Sequence, residues 1–143
     1  MFVADASVTL PWCFEDEATP WTDSLLERLR GGDRIAVPAH WPTEISNGML
    51  IALRRKRIQP GRPELFWDEL AVLPIEVEPP LSPDQAKAVL FLSEQHGLTV
   101  YDAAYLELAK REGLPLATLD SALARAAHLE KVTLLKPGNR KGR

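Results

Sequence analysis

The strongest constraint on this chain is an alternation. Short apolar runs with strand character are separated by segments that carry helical spacing and helical end signals. "MFVAD" at residues 1–5 is an apolar run ending in an acid and predicts a buried strand. "TPWTDSLLERLRGG" at 19–32 predicts a helix, capped by Thr19, opened by Pro20 and stopped by Gly31 and Gly32. "RIAVP" at 34–38 predicts a second strand. Two helices follow, at 41–57 and 62–73, the first with Ile45, Met49, Ala52 and Leu53 at helical spacing. "LPIEVE" at 73–78 predicts a third strand. The helix at 82–97 is well marked: Ser82 caps, Pro83 opens and Gly97 closes. Another helix runs over 99–113 to Gly113. A fourth strand lies within 114–120, a short helix at 121–129 and a fifth strand at 132–135. Strands that alternate with helices predict an α/β fold, a parallel sheet covered by helices on both faces.

In such a sheet, ligands bind beyond the carboxyl ends of the strands. Several acids are expected there. Asp5 follows the first strand and Asp120 the fourth. Glu44 lies in the first turn of the helix after the second strand, and Asp102 opens the helix at 99–113. Each has a local reading. Asp102 completes a capping box with Thr99, Glu44 suits the helix dipole, Asp5 ends a strand in an Asx-turn, and Asp120 caps the next helix. Four carboxylates at one rim would repel one another unless a cation neutralised them, and oxygen-only donors suit Mg²⁺ or Mn²⁺.

Other chemistries lack their signatures. There is no GxGxxG, GxxxxGK[ST] or GxSxG. Cys13 stands alone, which excludes an internal disulfide and a Cys-rich zinc site. His40, His96 and His128 are scattered and read as surface or loop residues. "DASVT" at 5–9 is similar to the DxDxT start of haloacid-dehalogenase phosphatases, but Ser7 stands where their second Asp would be.

The 143 residues suit one domain. No apolar run reaches membrane-spanning length, and no basic region precedes the apolar start, so the cytoplasm is the expected compartment. The formal net charge of −3 is unlike that of a basic nucleic-acid binder. The basic groups are instead local: Arg54, Arg55, Lys56 and Arg57, and the tail "KPGNRKGR". Those patches would carry any contact to nucleic acid. The first also reads as a solvated helix end, where cations suit the dipole.

Four segments together resemble the PIN-domain family, and within it the VapC-type toxin ribonucleases of toxin–antitoxin pairs. They are "FVADASVTLPWCF" at 2–14, "PTEISNGML" at 42–50, "LTVYDAAYLELAKREGLPLATLD" at 98–120 and "VTLL" at 132–135. The resemblance implies a three-layer α/β/α fold around a parallel sheet of about five strands. It implies a single PIN domain over 1–136, followed by a flexible basic tail at 137–143. It implies an acidic site of Asp5, Glu44, Asp102 and Asp120, with Asp5 and Asp102 as first-choice metal ligands. Glu44 and Asp120 would bind directly or through water. Ser7 and Thr118 match supporting hydroxyl positions, and Asn47 matches a polar position that orients Glu44 or touches RNA. The implied activity is an Mg²⁺- or Mn²⁺-dependent endoribonuclease. The implied partners are a VapB-like antitoxin, RNA and a second copy in a homodimer, with no membrane. Trp12, Phe14 and Trp21 are aromatics that an antitoxin would meet if exposed, although core burial suits at least two of them. Tyr105 and Leu106 are expected inside.

The alternatives are a catalytically silent PIN-like interaction module, and another metal-dependent nuclease or phosphatase on a similar sheet. A receiver domain would want paired acids after the first strand and a Lys near a late strand. Here only Asp5 follows the first strand, and Lys131 precedes the fifth.

Overall fold

The computed structural model describes residues 1–136. Its centre is a parallel sheet of four strands: β1 (Phe2–Ala4), β2 (Ile35–Val37), β3 (Ile75–Val77) and β4 (Leu116–Ala117). Their spatial order is β3-β2-β1-β4. Each strand has only two or three residues, and the two central ones, β1 and β2, are buried throughout. Phe2, Val3 and Ala4 are fully buried, as a parallel strand covered on both faces requires.

Seven α-helices surround the sheet: α1 (Ala6–Thr9), α2 (Pro20–Arg30), α3 (Trp41–Arg54), α4 (Arg62–Ala71), α5 (Pro83–His96), α6 (Val100–Glu112) and α7 (Ser121–Leu129). The connections β1→β2→β3 step in one direction and β3→β4 steps back across the sheet. Right-handed crossovers therefore put α2, α3 and α4 on one face and α5, α6 and α7 on the other. The packing agrees, since α6 contacts both α5 and α7 while α3 contacts α1 and α4.

The predicted helix ends hold where a cap drives them. Thr19 and Ser82 each close a reciprocal capping box, and Gly97 and Gly113 end their helices in the left-handed region. Three expectations change. The fifth strand shrinks to one parallel bridge between Leu134 and Leu116, with Leu135 N–H donating to the Leu116 carbonyl at 2.9 Å. The sheet thus has four strands, with the last segment lying along its edge. The helix at 41–57 stops at Arg54, and Lys56 turns the chain through positive φ. The one-turn α1, and the two 3₁₀ turns after it at Leu10–Trp12 and Glu15–Glu17, were not predicted. The basic tail falls outside the described residues, apart from Lys136.

One contact sets how α3 lies. A Cβ on Gly48 would meet Leu10 Cδ1 at 2.7 Å, so the helix backbone sits directly on the Leu10 side chain, at the start of the 3₁₀ turn that follows α1. Trp41, at the start of α3, donates from Nε1 to Thr9 Oγ1 at 3.2 Å, and Thr9 Oγ1 donates to the Asp5 carbonyl at 3.3 Å. The start of α3 is thereby tied to the end of β1.

Candidate active site

The chain leaves β1 towards β2 on one side, and leaves β4 towards the opposite edge. The crevice beyond the ends of β1 and β4 is therefore the switch point of the sheet. Ala4 pairs with Ala117, so the next residues, Asp5 and Thr118, emerge side by side. Asp5 is only 4% exposed. Its carboxylate does not cap α1. Instead Ser7 Oγ donates to Oδ1 and Thr118 Oγ1 donates to Oδ2, each at 2.5 Å. Ser7 Oγ also accepts from the Leu119 N–H at 2.8 Å, which fastens the loop after β4 to the one after β1. The structure thus brings Ser7 and Thr118 together on one carboxylate.

Asp120 follows at once. Its Oδ1 accepts from the Leu123 N–H at 2.8 Å, so it caps α7 as its local reading predicts, and its own N–H donates to Thr118 Oγ1. Asp102 sits in the first turn of α6, where Thr99 Oγ1 accepts its N–H at 3.1 Å. No reciprocal bond closes the predicted capping box at α6, unlike α2 and α5. The Asp102 carboxylate is half-buried; it feels the charges of Asp120 and Glu44 and is met by the Thr99 hydroxyl.

Glu44 lies one turn into α3. Tyr105 is fully buried on α6 and donates its hydroxyl to Glu44 Oε1 at 2.6 Å. His40 Nε2 stands 3.0 Å from the same oxygen, at ion-pair distance but without the alignment of a hydrogen bond. His40 is therefore part of the site and not the loop bystander its position suggests. Its ring packs edge-on against Tyr101 and Tyr105, at 5.6 and 5.3 Å between centroids. The spacing His40-x-x-x-Glu44 on a helix start was the available signal, because residues four apart share a helix face.

The electrostatics show that these acids sense one another. Burial pushes the Asp5 carboxyl up to about 6; the two hydroxyls pull it down, and Asp102 and Glu44 push it up again. Burial, then Asp120, then Glu44 raise Asp102. Burial also works upwards on Glu44, but His40 and Tyr105 outweigh it and the net shift is downward. Burial and the adjacent Glu44 push the Tyr105 hydroxyl strongly up, so it stays a donor. Among the described residues no Lys or Arg pairs with any of the four acids.

The donors suit a hard divalent ion in kind: all are oxygens, and burial together with neighbouring acids raises the proton affinity of Asp5 and Asp102. Among the described residues, no three His, Cys, Asp or Glu side chains close around a single point as they stand.

The other expected residues lie elsewhere. Asn47 is exposed on α3, one turn beyond Glu44. Arg54 is ten residues along α3 from Glu44, about 15 Å at the helical rise, so the basic patch occupies the far end of the helix. Within it, Arg57 is engaged with Asp16 and Glu17, while Arg54, Arg55 and Lys56 have no carboxylate partner among the described residues. Phe14 is buried, and Trp12 is half-buried with its Nε1 donating to the Thr22 carbonyl at 2.8 Å. Trp21 is also half-buried. The early aromatics therefore serve the core first.

A family model described as PIN domain matches residues 2–129. Over 126 residues the chain is 31% identical to Ribonuclease VapC12 of Mycobacterium tuberculosis, across 88% of this chain and 92% of the relative. Among solved structures, PAE2754 from Pyrobaculum aerophilum is similar with a TM-score of 0.65 at 22% identity, over 87% of this chain and 84% of that one. A toxin–antitoxin complex from Klebsiella pneumoniae has a TM-score of 0.61 at 16% identity, over 85% and 88%. FitAcB from Neisseria gonorrhoeae has a TM-score of 0.61 at 15% identity, over 95% and 97%. At such identities the structural likenesses speak to the fold alone. No helix among the described residues is long and apolar enough to cross a membrane.

Proposed function

The chain belongs to the PIN-domain family and is a relative of a VapC-type ribonuclease, and on that premise we propose that it is a divalent-metal-dependent endoribonuclease, the toxin of a toxin–antitoxin pair. The observation that carries the proposal is Asp5. It is a buried carboxylate beside Asp102 and Glu44, held by two hydroxyls and answered by no Lys or Arg among the described residues. A charge so placed is costly unless a cation from outside the chain joins it.

Asp5 and Asp102 are the direct ligands in this reading, and Glu44 and Asp120 complete the cluster directly or through water. A bound Mg²⁺ or Mn²⁺ supplies Lewis-acid stabilisation of phosphoryl oxygens and lowers the pKa of a water. The chain's own part is placement. Ser7 and Thr118 hold both oxygens of Asp5, so that its orientation is set before ligand arrives. Asp120 is held by the start of α7, and Asp102 is held by the first turn of α6. Asn47 reaches RNA from the exposed face of α3, and Arg54, Arg55 and Lys56 meet phosphates further along the strand. An acidic cleft also favours a basic side chain from an antitoxin segment, which would block it. The same fold occurs in a toxin–antitoxin complex among the structural neighbours. We extend the reading to a cytoplasmic homodimer.

The test is cleavage of RNA by the purified protein. It is expected with Mg²⁺ or Mn²⁺ and abolished by chelator. Asp102→Asn should lower the rate by about 100-fold or more while the fold, read by circular dichroism, persists. Full activity in that variant sinks the assignment, and so does an absence of cleavage of any RNA with either metal.

A further inference from the structure

We infer that Tyr105, seconded by His40, is a positioning residue: it holds Glu44 by Oε1 and so leaves Oε2 as the one oxygen that Glu44 offers to the ion or its water. This rests on the reading above. A buried tyrosine hydroxyl needs a partner, and a neutral one would satisfy it. Tyr105 instead reaches across the domain to a carboxylate 61 residues away in the chain, at 2.6 Å. A hydrogen bond to an ionised acceptor is about twice as strong as a neutral one, and a fully buried ring gives it a fixed origin. His40 approaches the same oxygen from the N-cap of α3, at 3.0 Å. Its own ring is braced by Tyr105 and by Tyr101.

The placement has a further consequence. Tyr101, Asp102 and Tyr105 all belong to one helix, so α6 fixes both its own carboxylate and the one on α3. Glu44 is a long, flexible side chain at the end of a helix on the opposite layer. Without the clamp its carboxylate samples several rotamers, and each ion bound must select one. With the clamp, the separation between the free oxygen of Glu44 and the carboxylate of Asp102 is set by a single rigid element. A merely structural Tyr105 would fill space and satisfy its hydroxyl, with no bearing on metal.

The test uses the full chain and Mn²⁺ alone as the probe. Tyr105→Phe keeps the ring and removes the hydroxyl. Calorimetric titration should show Mn²⁺ affinity weakened by about tenfold or more, the usual loss when a group that orients a metal ligand is removed. RNA cleavage should lose kcat at subsaturating metal, with KM for RNA unchanged within about twofold. In a Glu44→Gln background the same change should cost nothing further, since its effect runs through Glu44. His40→Phe retains the ring against both tyrosines and should weaken Mn²⁺ binding severalfold. Parental Mn²⁺ affinity in a folded Tyr105→Phe overturns the inference, and so does an equal loss in the Glu44→Gln background. Parental affinity in His40→Phe removes His40 from the clamp. A parent protein that neither binds Mn²⁺ nor cuts RNA overturns the nuclease reading itself, a result distinct from any of these.

Discussion

Two carboxylates in this domain are almost equally buried and oppositely treated. Asp5 is 4% exposed and Glu107 is 5% exposed. Glu107, on α6, meets the guanidinium of Arg111 one turn later, at 2.8 Å, and Arg111 reaches Glu78 and Glu112 as well. Asp5 meets two hydroxyls and feels the charge of two other acids. The chain thus has the means to neutralise a buried acid and applies them at Glu107. At the switch point it surrounds one acid with more. On the proposed function, the contrast separates an acid that belongs to the architecture from an acid kept for a cation that is not part of the chain.

The largest expected effect tests that division directly. Asp5→Asn should lower metal-dependent RNA cleavage by on the order of 100-fold, while the Arg111→Met protein, assayed where it is folded, should cut at the parental rate within about twofold. A parental rate in Asp5→Asn would break the comparison.

Stability should move the other way. The Asp5 pKa is raised from 3.8 to about 6, so the folded protein holds that proton more tightly than the unfolded chain does. The contribution of Asp5 to metal-free stability is therefore fully present below about pH 4 and is lost as pH rises through about 6. The shift corresponds to about 3 kcal/mol at most. In chelator, Asp5→Asn should accordingly be the more stable protein at pH 7.5, by up to about 3 kcal/mol in urea melts, with the gain gone at pH 4. Added Mn²⁺ should reverse the order by stabilising only the parent.

Arg111→Met should cost about 2 kcal/mol in the same melts. Glu107 would be left buried without its cation, although the side chain of Arg111 is itself 30% exposed, which trims the loss. The smallest effect is expected for the double change Glu107→Met with Arg111→Met. Replacing both partners by apolar groups should return stability to within about 1 kcal/mol of the parent. A double variant as weak as Arg111→Met alone would show that the ion pair does more than cancel its own burial.

Local chemistry was readable in the sequence, and long-range contact was not. Thr19-Pro20, Ser82-Pro83, Gly97 and Gly113 mark helix ends through bonds made within a few residues, and those ends lie where they were expected. The order of strands and helices was enough for the parallel sheet. The one-turn helix Ala6–Thr9 was missed because four residues carry no periodicity. The last strand was overstated because "VTLL" has the right composition but makes only one bridge at the sheet edge. Within the site, four acids at strand ends and helix starts were legible by position. The tie from Tyr105 to Glu44 was not, since nothing in two segments 61 residues apart announces that one buried hydroxyl will choose a carboxylate. The spacing of His40 from Glu44 is local, but the packing of its ring on Tyr101 and Tyr105 is a long-range contact of the same kind. Asp102 was credited with a full capping box; only the backbone half of it exists.

The pairing of β1 with β4 has one more consequence, for timing. Thr118 holds Asp5 across 113 residues of sequence, and Leu119 bonds to Ser7 across 112. Contacts of such separation are the slow, late ones in folding. A chain still emerging from the ribosome carries Asp5 and Glu44 long before it carries the strand that completes their surroundings. The surroundings of Asp5 are therefore complete only once Thr118 and Leu119 have been made, and the same topology that builds the acidic cluster delays it.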